Sequence, residues 1–393
     1  MSKHRVIIVG GGFAGIRTAY ELANDERFKV ILISDHADFR FYPALFRTAT
    51  GGKRRISSIP LVELFHERPV EVILDRVLEL DKAKKTVISE AKHKYNYDSL
   101  VLALGVKTNY FNIKGLSDYS YGIKTVADAE RLKAHLHRQL IEEKHPDLNY
   151  VVVGGGPTGV ELAGALPSYL KAVCRRHGIN HPNIHVDLVE AAPRLLPRAP
   201  KDLSRRVARH LRSINVRLYL GTAVQAETAD ALMINNKRLM SHTVIWTAGV
   251  ANHPFYNDQG FQLARNGKVR VDQFLQSDPD VFVIGDNADT PFSGMAQTAL
   301  LDGKFVAQNL MRRADQQDFK PYSAKRPVYV FPAGPYWAAV LWGSWRFYGV
   351  FGYLMRRAAD WIAYHDYEAF YQATERWMEE DDNEETCPMC KRL

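Results

Sequence analysis

Two stretches decide the fold: Val6-Ile7-Ile8-Val9 running into Gly10-Gly11-Gly12-Phe13-Ala14-Gly15, and Tyr150-Val151-Val152-Val153 running into Gly154-Gly155-Gly156-Pro157-Thr158-Gly159. Each reads as a buried strand, a tight turn and the start of a helix. Glycines in that unit let the backbone turn sharply and approach a pyrophosphate, whose charge meets the free amides and positive dipole end of the helix. One such motif is a weak signal. Two in the same context predict two dinucleotide cradles, lined by Gly10, Gly12, Phe13, Ala14 and Gly15 in the first and by Gly154, Gly156, Pro157, Thr158 and Gly159 in the second.

Further along the chain, Val281-Phe282-Val283-Ile284 ends in Gly285-Asp286-Asn287-Ala288, and Ala296-Gln297-Thr298-Ala299-Leu300-Leu301-Asp302-Gly303 opens a helix behind it. Leu100 to Gly105 and Val244 to Val250 read as the strands that close the two halves. Together these segments resemble the FAD/NAD-linked reductase superfamily. Within it the chain is similar to the type II NADH dehydrogenases, single-subunit membrane-associated NADH:quinone oxidoreductases. Phe39 to Gly51 matches that family's flavin-flanking stretch, and Gly159-Val160-Glu161-Leu162-Ala163-Gly164 matches its NADH-domain helix. The likeness runs from about Arg5 to Arg313 and continues more weakly beyond.

The resemblance implies an α/β fold: two Rossmann-like dinucleotide-binding domains, one for noncovalent FAD and one for NADH, followed by a C-terminal membrane-associating segment. It gives Asp286 to the ribityl chain of FAD and adds Pro43, Val77, Ala103, Gly105 and Ala296 to the flavin set and Gly249 to the NADH set. It places Glu161 near the nicotinamide and Gln297 at the quinone site. Electrons would pass from NADH through FAD to a membrane quinone without proton pumping.

Three departures from the family pattern matter. The acid for the FAD ribose belongs at the end of the second strand, where Ser34 stands; Asp35, one residue later, is the substitute, with a plain turn aspartate as the alternative reading. In the quinone motif Leu301 and Asp302 occupy the last two places. In the NADH half the acid is Glu190, which selects NADH by accepting from both ribose hydroxyls and repelling a 2′-phosphate. It lies further from its fingerprint than usual, and an insertion around Tyr169 to Pro182 accounts for the gap. Arg194 is the one nearby group suited to a phosphate.

Domain boundaries follow from the motifs: 1–117 for the first part of the FAD domain, 118–271 for the NADH domain, 272–325 for the second part of the FAD domain, and 326–393 for the C-terminal hairpin, helical segment and acidic tail. Residues 331–355 carry a single charge, Arg346, but also two prolines and four glycines. A hairpin followed by a helix therefore fits better than a membrane span. Phe347, Phe351, Leu354, Ala358, Trp361, Ile362 and His365 share one helical face, read either as core or as a membrane-contacting stripe. The net charge of +8, with six acids gathered after Met378, suits an anionic leaflet. A cytoplasmic protein peripheral on the inner face of the cell membrane is expected, with no nucleic acid as partner.

Cysteine usage excludes related chemistries. Phe41 to Gly52 lacks the CxxxxC pair of the disulfide reductases, and only Cys174 lies in the body of the chain, against the flavin-flanking cysteines of sulfide:quinone oxidoreductases. Cys387 and Cys390 form a CxxC in the tail, open to three readings: an ordinary exposed pair, a dithiol, or zinc shared between the subunits of a homodimer. A soluble NADH:acceptor reductase and an NADH-responsive flavoprotein acting through a partner, as in apoptosis-inducing-factor-like relatives, are the alternative functions.

Overall fold

Runs such as Val6 to Val9, apolar at every position, suit a strand covered on both faces, and such strands lie at the centre of parallel sheets. The computed structural model, which describes residues 3–179 and 184–380, places them there, and the chain divides into two units. The first unit comprises residues up to Arg40, Ile59–Lys107 and Val250–Pro327. Its sheet has the order Gln276–Asp278, Val281–Val283, Ser99–Leu102, His4–Val9, Phe28–Ser34, Val70–Leu74, parallel except for the first pair. Val77–Asp81, Thr86–Ser89 and Lys94–Asn96 form a small antiparallel sheet beside it.

The second unit comprises Phe41–Ser58, Thr108–Gly249 and the chain from Val328 on. Its central sheet, Val216–Leu220, His185–Glu190, Asn149–Val153, Thr243–Trp246, is parallel throughout. The fingerprint helix here runs Pro157–His177, 21 residues against 11 for Phe13–Ala23 in the first unit. Extra helical turns thus account for much of the long spacing between Gly159 and Glu190.

These units depart from the sequence-based boundaries at Lys107/Thr108, ahead of the expected 117/118, and in three further places, each of those for a packing reason. Phe255, Tyr256 and Phe261 share a core with Ile7, Tyr97 and Leu100, so the return to the first unit comes at Val250 rather than 272. Leu45, Phe46 and Ala49 are buried with Leu132, Val160 and Leu166, which draws Phe41–Ser58 into the second unit. Phe331, Ala333, Ala339 and Leu341 join that same core. The C-terminal sheet Tyr329–Pro332, Ala338–Trp342, Trp345–Tyr348 is therefore part of the second unit rather than a separate segment. Contact is backbone to backbone at Gly164: a Cβ there would lie 2.5 Å from the Ala333 carbonyl carbon.

The last two helices are Gly349–His365 and Phe370–Glu379, and the first of them decides against the core reading of its apolar stripe. The apolar stripe is not the buried face: Phe351, Leu354 and Ile362 are exposed, whereas Arg356, Arg357 and Asp360 are buried. The reason is Glu380, itself 1% exposed, whose carboxylate pairs with Arg356 and, at 2.5 Å, with Arg357. Glu379 meets Lys53 at 2.6 Å and also Arg55. The start of the acidic run is thus a set of partners for buried or bridging cations. No helix among the described residues is long and apolar enough to cross a membrane.

Candidate active site

The two cradles are built alike, atom for atom along the backbone. Gly10 and Gly154 both have φ of +114°, and their N–H groups donate at 2.8 Å to Ile33 and Val189 in the neighbouring strands. A side chain at Gly10 would lie 2.2 Å from the Ala103 carbonyl oxygen; one at Gly15 would strike the Gly10 carbonyl, and one at Gly159 the Gly154 carbonyl. These glycines are dictated by close approach within each unit. Gly12 and Gly156 differ: each caps its helix in extended backbone without a side-chain cap, and a Cβ there would meet nothing within 4 Å. Open space in front of uncapped helix-start amides is what a diphosphate requires. The chain therefore fits the two dinucleotides.

Neighbouring residues support the turns rather than reach into them. Phe13 is buried edge-to-face on Phe39 at 4.9 Å, and Ala14 packs where Gly303 leaves no room for a side chain. Pro157 opens its helix, where its missing N–H costs nothing, and Thr158 follows half-buried. The closing strands end equivalently: Ala103 N–H donates to Val9 at 2.8 Å and Thr247 N–H to Val153 at 2.9 Å, and Gly105 and Gly249 follow with φ of +68° and +73°.

The strand ends are where the halves diverge. Val9 is paired with Ile33 and Val153 with Val189, so Ser34 and Glu190 occupy the same place. Glu190 accepts from Gly155 N–H at 2.5 Å and Ala192 N–H at 2.6 Å, holding a carboxylate at the lip of the second cradle. Ser34 faces Gly11 and exchanges hydrogen bonds with the His36 backbone, while Asp35 is exposed and pairs with His36 at 3.1 Å and Arg76 at 3.8 Å. Arg194 is tied to the carbonyls of Leu196 and Ala199, at 3.2 and 2.7 Å, and of Pro197. It staples its own loop instead of standing free for a phosphate.

Comparison with known proteins meets this geometry. The pyridine nucleotide-disulphide oxidoreductase family matches residues 4–303. The type II NADH:quinone oxidoreductase Ndh of Mycobacterium tuberculosis is 32% identical over 337 residues, 78% of this chain and 72% of that protein. The chain belongs to the type II NADH:quinone oxidoreductases. The enzyme of that name from Staphylococcus saprophyticus is 26% identical over 78% of the chain and 82% of its own length. In fold, the chain matches NDH2 of Plasmodium falciparum with a TM-score of 0.85 at 18% identity, covering 96% and 97% of the two chains. The sulfide:quinone oxidoreductase of Aquifex aeolicus shares the fold at a TM-score of 0.75 and 21% identity, over 90% and 89%.

The remaining residues of this type II chain fall into two groups. In the first unit, Asp286 is half-buried in the turn Gly285–Asn287, Ala296 is half-buried and opens the helix Ala296–Ala314, Gln297 is exposed on its first turn, and Val77 is packed into the core with Ile7 and Val9. Pro43 lies in the turn Tyr42–Ala44 of the second unit, whereas the other residues expected at the flavin belong to the first. Glu161, on the first turns of the fingerprint helix, is half-exposed as a residue, yet burial pushes its carboxyl up to about 8 against the pull of Arg356. It is therefore largely neutral near pH 7 and able to donate a hydrogen bond.

Sequence reasoning gave no role to Ser293 and Asp302, which bind the Gly285 backbone beside Asp286, or to Asn287, which ties the turn to the Gly105 backbone. Their adjacency to the Gly285-Asp286 pair and to the motif helix was the available signal. Cys387 and Cys390 lie outside the described residues.

Proposed function

We infer that the chain is an FAD-dependent NADH:quinone oxidoreductase that does not pump protons. The single observation that carries this is the pair of like-built cradles in a chain of this family. Bound in the first cradle, FAD would supply the hydride-accepting and electron-passing chemistry between NADH and a quinone. Gly10, Gly12, Gly15, Ala103, Gly105 and Asp286 would hold the flavin nucleotide noncovalently. Gly154, Gly156, Gly159 and Gly249 would hold NADH, with Glu190 accepting from its ribose hydroxyls and excluding a 2′-phosphate by charge. Hydride transfer needs little acid or base help, so the protein's work is orientation and exclusion of water. Neutral Glu161 offers a proton beside the nicotinamide cradle. Gln297, exposed on the first turn of its helix, is the group we assign to the quinone.

The outward face of Gly349–His365 supports peripheral membrane binding. Val350, Phe351, Leu354 and Ile362 are exposed there, and the adjoining hairpin presents Trp342 and Trp345, the latter 73% exposed. Aromatic and aliphatic side chains on such a face suit the interface of a bilayer. We place the enzyme on the inner face of the cell membrane. Light scattering of detergent-free protein would expose the other occupant of that face, a second copy in a homodimer.

Anaerobic stopped-flow tests the whole reading. NADH should bleach the flavin rapidly, and a soluble quinone should restore it at a comparable rate. Rapid bleaching with no quinone-dependent recovery would remove quinone as the acceptor and leave a soluble NADH:acceptor reductase.

A further inference from the structure

Three side chains, two of them from outside the turn, close around the backbone that carries Asp286, all within the first unit. Gly285 has φ of +70°, and both of its backbone groups are taken. Its N–H donates to Asp302 Oδ2 at 3.0 Å, and its carbonyl accepts from Ser293 Oγ at 2.9 Å. Asp302, fully buried on the helix Ala296–Ala314, accepts the Tyr322 hydroxyl on its other oxygen at 2.5 Å. Ser293 accepts from Lys268 Nζ at 2.7 Å. On the far side of Asp286, Asn287 forms a two-way amide pair with Gly105: Gly105 N–H donates to Oδ1 at 2.8 Å, and Nδ2 donates to the Gly105 carbonyl at 2.7 Å and to Asn252 Oδ1 at 2.6 Å.

A carboxylate with no solvent contact and two donors is expensive to keep. Burial pushes Asp302 up to about 6; Tyr322 and the Gly285 N–H pull it down, while the neighbouring charge of Asp286 raises it further and Lys268 lowers it. Asp302 occupies the last place of the motif at the start of its helix, yet its side chain is turned inward, onto the Gly285 N–H and the Tyr322 hydroxyl. What it holds is the left-handed turn.

We propose that Asp302 is a positioning residue for the flavin nucleotide: through the Gly285 N–H it fixes the turn that presents Asp286, and Tyr322 fixes Asp302. This rests on the assignment of Asp286 to the ribityl chain of FAD. It extends the flavin site by a residue that touches neither cofactor nor substrate, and it gives the Tyr322 hydroxyl a task.

The test is flavin retention, measured as the FAD Kd from the fluorescence of flavin released on diluting the holoenzyme. Asp302→Ala should raise Kd about tenfold or more, the scale of one hydrogen bond to a charged group. Asp302→Asn keeps an oxygen for Gly285 and can donate to the Tyr322 oxygen, so it should stay within about threefold of wild type. Tyr322→Phe should give a smaller loss than Asp302→Ala. In an Asp286→Ala background Asp302→Ala should add little, because the turn then presents no carboxylate. Unchanged affinity in Asp302→Ala, or a loss simply additive with that of Asp286→Ala, would overturn the proposal. Unchanged affinity in Asp286→Ala would overturn the ribityl assignment instead, and the proposal with it. The thermal midpoint of the flavin-free protein separates the cases: a positioning role moves Kd more than stability, and a fall in midpoint with Kd unchanged also overturns it.

Discussion

Glu190 and Ser34 stand at the same register position in two like-built halves, one a carboxylate held by two backbone N–H groups and the other a hydroxyl bound to the His36 backbone. Glu190→Gln should narrow the preference for NADH over NADPH, by about 1 to 3 kcal/mol for a partly exposed charged contact, read as the ratio of kcat/KM values. Equal wild-type efficiency with both nucleotides would refute the assignment. Glu161 makes a pH prediction. An acid whose pKa is raised in the folded chain holds its proton more tightly there, so its ionisation costs stability from its ordinary 4.5 upward, and the loss levels off above about 8. Glu161→Gln keeps the neutral form at every pH; it should flatten the pH dependence of flavin reduction around pH 8 and remove the decline in thermal midpoint between pH 4.5 and about 8. Both residues were legible in the sequence because a strand end and a helix start are local features. Asp302 was not legible as an inward group, since only its contact with the Gly285 backbone shows which way it turns.

At the scale of elements, the helix Gly349–His365 is the lesson in what periodicity conceals. An apolar stripe is normally the inner face because burying charge is costly. Here the acid that permits the reversal lies 24 residues beyond Arg356, outside any window of helical periodicity. Glu380→Ala should therefore be severe, leaving Arg357 buried without its acid and Arg356 with Asp360 alone, at 3.0 Å, and destabilising the fold by about 3–5 kcal/mol in chemical denaturation. Phe351→Ser with Leu354→Ser, on the outer face, should leave the melting temperature nearly unchanged while abolishing sedimentation with vesicles. If instead the double variant unfolds and Glu380→Ala does not, the face assignment is reversed. Both fingerprints, by contrast, could be read directly, each being six consecutive residues whose first and last glycines answer to contacts inside the motif or with the closing strand.

At the scale of the molecule, the division of the chain was legible only in outline. The strand runs located both sheets, but the places where the chain crosses from one unit to the other are set by side chains such as Phe46, Phe255 and Phe331, whose core is chosen by packing rather than by local pattern. Acid precipitation should release FAD and leave colourless protein, because nothing in either unit requires a covalent tether. Within the second unit the junction at Gly164 has a mechanical consequence. Main chain rests on main chain there, with no compliant side chain between the NADH-cradle helix and the Ala333-Gly334 turn. Amide hydrogens of Pro157–His177 and of Tyr329–Pro332 should then exchange with deuterium as one cooperative block, at one opening free energy. Adding a methyl at Gly164 should split that block into two, so that a disturbance of the hairpin 338–348 no longer reaches the helix Pro157–His177.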